Sequence, residues 1–200
     1  FNLFVFFEVL LIASYGLTIH AGGAARLRAG LQYVVMNLAG STLFLFALGT
    51  LYATLGTLNM ADMAAKASDL DPGDAGLLAV GAVLMLLVFA LKAAAFPVQF
   101  WLPATYAEAP APVAALFAIM TKVGAYAIVR TYTLVFGAGT PELSALISDL
   151  LLPAALLTLA VGAAGVLGAR RLERMLAFAV LVSMGTLLTA VALFTPTGLT

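Results

Sequence analysis

Six stretches of this sequence, 1–20, 31–55, 77–102, 113–136, 143–167 and 175–194, are each apolar over the length of a bilayer crossing. A hydrocarbon core ~30 Å thick is crossed by ~20 residues of helix. Backbone N–H and C=O groups find no partners in lipid, so a spanning chain must be helical or a closed barrel. No run alternates with a period of two, as a barrel strand does. The expected fold is therefore all-α: a polytopic transmembrane helix bundle of six spans. The composition agrees, with 64% hydrophobic and 9% charged residues against roughly 25% charged in a soluble domain.

The same composition excludes much chemistry. There is no cysteine, hence no disulfide framework, thiolate metal site or iron–sulfur cluster. A single histidine and scattered acids offer no metal centre, and nine basic against nine acidic residues give no sign of a nucleic-acid partner. No catalytic constellation and no cofactor site are expected. The chain opens on Phe1 inside an apolar run, without an initiator Met, so residues 1–200 read as one membrane domain, an internal fragment of a longer protein.

The links carry an orientation. Arg26 and Arg28 lie in the first, and Arg170, Arg171 and Arg174 in the fifth; the second is acidic apart from Lys66. The excess of Lys/Arg on cytoplasmic loops then places the first and fifth links in the cytoplasm, and strict alternation adds the third, which carries no basic residue. In the second link Asn59 is suited to cap a short interfacial helix, and Asp69, Asp71, Pro72, Gly73 and Asp74 form a turn cluster.

The third span is interrupted. Residues 84–112 read LMLLVFALKAAAFPVQFWLPATYAEAPAP, placing Lys92 deep in an apolar helix and Pro97 five residues later. Proline cannot donate to the carbonyl of Ala93 and its ring crowds it. The span is expected to break near Pro97, with Gln99 one heptad below Lys92 on roughly the same face. Trp101 reads as an interface anchor. A kink beside a lysine snorkelling to the surface is the plainer alternative, but Lys92 lies far from either end.

Three ionisable residues lie well inside spans: Glu8, Lys92 and Lys122. Counted to the cytoplasmic end of its span, each sits roughly 15–18 Å deep, near the midplane. Facing lipid, each would cost at least ~2.5–3.5 kcal/mol, so they are expected to face inward and compensate one another. A static ion pair could fix helix packing, but two lysines to one carboxylate leave an odd cation. A neutral lysine and a shared proton resolve the excess, which points to a proton relay. Lys122, Tyr126 and Arg130 share one face of the fourth span, leading towards the outer surface. Tyr33, Asn37 and Ser41 form a similar stripe on the second, readable as ordinary interhelical hydrogen bonding. Gly162, Gly165 and Gly168 suit close helix packing.

FNLFVFFEVLLIASYG with Glu8, LKAAAFPVQFWLP with Lys92 and Pro97, and EAPAPVAALFAIMTKVGAYAIVR with Lys122 resemble the antiporter-type subunits of respiratory complex I and of Mrp/Pha-type cation/proton antiporters. The resemblance covers nearly the whole chain. It implies that the six spans correspond to the fifth through tenth of about fourteen. It also implies that Glu8, Lys92 and Lys122 take the places of the family's relay glutamate and lysines. Complex I relatives often carry histidine where Gln99 and Tyr106 stand. Tyr106, Pro110-Ala111-Pro112 and Thr121-Lys122-Val123-Gly124 look instead like the D-type subunits of the antiporters. The implied function is proton conduction within a multisubunit Na+ or K+/proton antiporter of the cell membrane, with other membrane subunits as partners. A proton-pumping subunit of a complex I-type enzyme is the alternative, and a non-transporting scaffold the third reading.

Overall fold

The computed structural model describes residues 1–20, 22–71, 73–137 and 140–193. Eight helices follow one another: α1 (Asn2–Ile19), α2 (Ala24–Leu55), α3 (Met60–Ser68), α4 (Ala75–Lys92), α5 (Trp101–Glu108), α6 (Ala111–Leu134), α7 (Pro141–Gly168) and α8 (Leu172–Ala192). The described residues contain no strand. All but α3 and α5 are long and apolar enough to cross a membrane, so the multi-pass bundle expected from the hydropathy pattern is the observed fold. Its outside is apolar: Phe6, Ile12, Leu31, Phe46 and Ile119 are each more than 60% exposed, an arrangement suited to hydrocarbon or to further apolar helices and not to water.

Several boundaries shift, each for a physical reason. α2 starts at Ala24 and runs for 32 residues, about 48 Å. Arg26 and Arg28 therefore stand on a helical extension beyond the hydrocarbon, not in a loop. The third link shrinks to Ala109 and Pro110, because residues 103–108 are helical in α5. α3 forms as expected, its N-cap Asn59 accepting the Ala61 N–H at 3.0 Å. Pro72 of the turn cluster and Phe194 of the sixth span lie outside the described residues.

The third span breaks, but Pro97 does not kink it. α4 stops at Lys92 in a Schellman arrangement: the Ala95 N–H returns to the Ala90 carbonyl at 2.8 Å and the Ala94 N–H to that of Leu91 at 3.1 Å. Ala94 holds the left-handed position, φ +52°, where glycine is usual. Eight residues separate the two helices, and the Phe96–Pro97 peptide bond within them is cis. Thr158 of α7 steadies this passage by accepting the Phe96 N–H at 2.7 Å. Pro97 is exposed and Gln99 buried. The heptad relation of Gln99 to Lys92 disappears with the helix.

Alternation of the links is visible in contacts at one end of the bundle. Arg26 Nε donates to the Glu108 carbonyl at 2.6 Å, and Arg171 pairs with the Glu108 carboxylate at 2.9 Å. Groups flanking the first, third and fifth links thus meet. α7 and α8 form a tight hairpin. A Cβ on Gly162 would fall 2.8 Å from the Val182 nitrogen, and one on Gly185 2.5 Å from that of Leu159. Gly165 joins this contact under Phe178, while Gly168 has open space around it.

Candidate relay site

The acid and the two lysines are not in direct contact. Among the described residues none of the three forms an ion pair within 4.0 Å, so the expected mutual compensation takes another form. Each meets a neutral polar group on a neighbouring helix.

Glu8 on α1 accepts from Ser41 Oγ of α2 at 2.5 Å. The same hydroxyl lies 2.9 Å from the Asn37 carbonyl, and its single proton serves one acceptor at a time. Asn37, one turn along α2, has its amide orientation set by the backbone: Nδ2 donates to the Tyr33 carbonyl at 2.9 Å, leaving Oδ1 to accept from Lys92 Nζ at 3.3 Å. Lys92 is only 6% exposed. The stripe that suited ordinary interhelical bonding therefore bridges Glu8 and Lys92. Its helical spacing was visible in the sequence; that both charges point at it was not.

Lys122 turns the other way. Its Nζ donates to Ser183 Oγ of α8 at 2.8 Å and lies 3.2 Å from Met184 Sδ. The lysine backbones are nonetheless level, because Gly124 lies directly against the peptide joining Lys92 and Ala93. Ser183 carried no distinguishing signal in the sequence. Tyr126 and Arg130 share the expected face of α6 and bond to each other at 2.9 Å on the bundle surface, with Tyr126 55% exposed. Asp149 in α7, a further ionisable residue inside a span, stands about 12 Å from the start of that helix and is exposed.

Two cavities flank the lysines. One of about 20 Å³ lies beside Lys92 and Asn37, walled by Tyr33, Trp101, Tyr106 and Phe117. It is roughly the size of one water. The other, a cleft of about 840 Å³, runs from Arg26, Glu108 and Arg171 to Lys122 and Ser183. Tyr106 borders both, its hydroxyl donating to the Phe117 carbonyl at 2.6 Å. Trp101 is not an interface anchor: it is 3% exposed, with its ring centroid 5.4 Å from that of Tyr33. Beyond the break α5 packs between α2 and α8, and Trp101 at its start joins the aromatic core. No cluster of metal-binding side chains occurs among the described residues.

The fold and site define a class: a multi-pass helical membrane protein with an acid and lysines held on polar groups inside the bundle, beside a broken helix. The chain belongs to the NADH:quinone oxidoreductase/Mrp antiporter transmembrane family, whose model matches residues 1–200. It is 47% identical over 193 residues to the D-type subunit of a probable K(+)/H(+) antiporter of Rhizobium meliloti (strain 1021), covering 96% of this chain and 36% of that protein. Identity to the D-type subunit of the Na(+)/H(+) antiporter of Bacillus subtilis (strain 168) is 44% over 197 residues, covering 98% of this chain and 39% of the relative. The structure of the Mrp complex from Dietzia sp. DQ12-45-1b contains a similar chain, with TM-score 0.87 and 33% identity over all of this chain and 36% of that one. The chain thus spans little more than a third of the length of these relatives.

Proposed function

We propose that this chain is the proton-conducting part of a D-type subunit in a multisubunit monovalent cation/proton antiporter, with Glu8, Lys92 and Lys122 as its relay. It corresponds to about the fifth through tenth helices of the full-length protein, working beside other membrane subunits in the plasma membrane. The observation that carries this reading is the connection from Glu8 through Ser41 and Asn37 to Lys92. An acid on a hydroxyl that can turn between two acceptors, and a lysine on a fixed neutral amide one turn away, can exchange compensation without moving a helix. A direct ion pair would hold both charges fixed.

The mechanism is a charge switch. With Glu8 ionised and Ser41 turned towards it, Lys92 keeps its proton and its bond to Asn37. When Glu8 is neutralised, the buried ammonium loses its compensation and releases its proton towards the Tyr106 side and Lys122. A hydrogen bond to a charged group is worth ~1.5–3 kcal/mol, close to the ~2.3 kcal/mol for one charge crossing 100 mV. Rearranging one such bond is therefore on the scale of the driving force. The relatives' names differ between sodium and potassium, so the exchanged cation is either of these two. The family also includes NADH:quinone oxidoreductase subunits; flavin and iron–sulfur partners copurifying with the chain would assign it there instead.

The test is exchange in membrane vesicles for wild type, Lys92→Ala and Lys92→Arg at matched complex abundance. Alanine removes the carrier and arginine holds its proton at any working pH, so both are expected to lose exchange. Near-normal exchange in the arginine variant would leave Lys92 as a fixed charge and end the relay reading.

A further inference from the structure

We propose that the turn between α7 and α8 is a binding site for the phosphate of an anionic membrane phospholipid, held by Arg170 and Arg174. A cavity of about 370 Å³ opens at this turn, lined by these arginines, Arg171, Phe178, Gly165 and Gly168. Arg171 is engaged elsewhere, 2.9 Å from the Glu108 carboxylate and 3.6 Å from that of Glu173. Arg170 and Arg174 have no carboxylate within 4.0 Å among the described residues, and both are exposed. Their planar guanidinium groups suit bidentate phosphate binding.

Shape and depth select a lipid over a free anion. Arg174 and Phe178 are four residues apart on α8 and share one face, with the aromatic ring one turn deeper and Arg170 in the turn just before the helix. Phe178 lies across the bare backbone of Gly165, where a Cβ would collide with its ring, whereas nothing stands within 4 Å of a Cβ placed on Gly168. Those two glycines give the cavity its floor and its open side. Leu167, next to Gly168, is 88% exposed, an apolar surface just beneath the turn. Both helices are long and apolar enough to cross the membrane, so arginines at their joined ends stand at headgroup depth, with the Phe178 ring and the apolar surface of α7 beneath them for an acyl chain. Basic pockets between spans at this depth suit anionic headgroups. This inference does not depend on the proton relay.

The purified complex would be placed in vesicles of zwitterionic phospholipid and labelled with a photoactivatable phosphatidylglycerol or, separately, its phosphatidylcholine counterpart. The α7–α8 peptide is expected to take up the anionic probe at least tenfold more than the zwitterionic one. Arg170→Gln with Arg174→Gln should remove that preference, while Arg28→Gln, a charge loss elsewhere on the chain, should retain it. Excess unlabelled phosphatidylglycerol should compete and millimolar inorganic phosphate should not. Equal labelling by both probes, or a preference surviving the double substitution, overturns the site. Competition by inorganic phosphate overturns the choice of lipid.

Discussion

Gly124 is the position where a single methyl group tests whether the placement of Lys92 matters. A Cβ there would stand 2.7 Å from the Ala93 nitrogen, 2.9 Å from the Lys92 carbonyl carbon and 3.1 Å from the Ala93 Cα. All three are backbone atoms at the helix stop, and none can rotate away. Restoring ordinary contact separates α6 from the end of α4 by about 0.7 Å, at an overpacking cost of ~1–3 kcal/mol. The helix propensity gained on replacing glycine by alanine offsets ~1 kcal/mol of this. The net loss, up to ~2 kcal/mol, should leave a complex that assembles. The bond from Lys92 to Asn37 is already long at 3.3 Å, and a displacement of that size along it would break it. A charged hydrogen bond is worth ~1.5–3 kcal/mol, which corresponds to about ten- to a hundredfold in rate. Gly124→Ala should therefore lower sodium- or potassium-driven proton exchange in inverted vesicles by at least about tenfold at matched abundance. Gly49→Ala, where nothing lies within 4 Å, should exchange normally. A Gly124→Ala complex exchanging within about twofold of wild type would refute the reasoning.

Asn37→Leu and Ser41→Ala should each abolish most exchange while the complex still assembles; normal exchange in both would mean that Glu8 and Lys92 are not coupled through α2. Ala94→Gly should be tolerated, whereas Ala94→Val, a β-branched side chain forced into the left-handed region at a fully buried position, should prevent accumulation of the complex, as an immunoblot of membranes would report. Thr158→Val leaves the Phe96 N–H without its acceptor and should lower stability by ~1–3 kcal/mol, read as a lowered thermal midpoint in detergent. The single substitutions Ala25→Cys and Ser68→Cys test orientation: with an impermeant thiol reagent on intact cells only the Ser68→Cys variant should react, and labelling of the Ala25→Cys variant alone would invert the topology.

The membrane class, the number of spans, the Asn59 cap and the three relay candidates were all legible in the sequence. Span length, hydropathy and capping are properties of contiguous residues, and a charge is conspicuous in an apolar run. The break in the third span was legible too, though its cause was not. Pro97 announces an interruption, but the helix stops earlier, because Ala94 can take a left-handed turn once its surroundings enclose it. What each charge touches belonged to the tertiary structure alone. Tyr33, Asn37 and Ser41 make the same stripe whether they face lipid, a silent neighbour or a glutamate and a lysine. Only the packing of α1 and α4 on opposite flanks of that stripe turns it into a bridge. Trp101 shows the same limit, since the packing of α5 against α2 and α8 buries a residue whose sequence position suggested the membrane surface. Lys122 does so as well, reaching Ser183 across 61 positions of chain. Helices are specified by neighbours in sequence, whereas the partners of a side chain inside a bundle are set by which helices come to lie beside it.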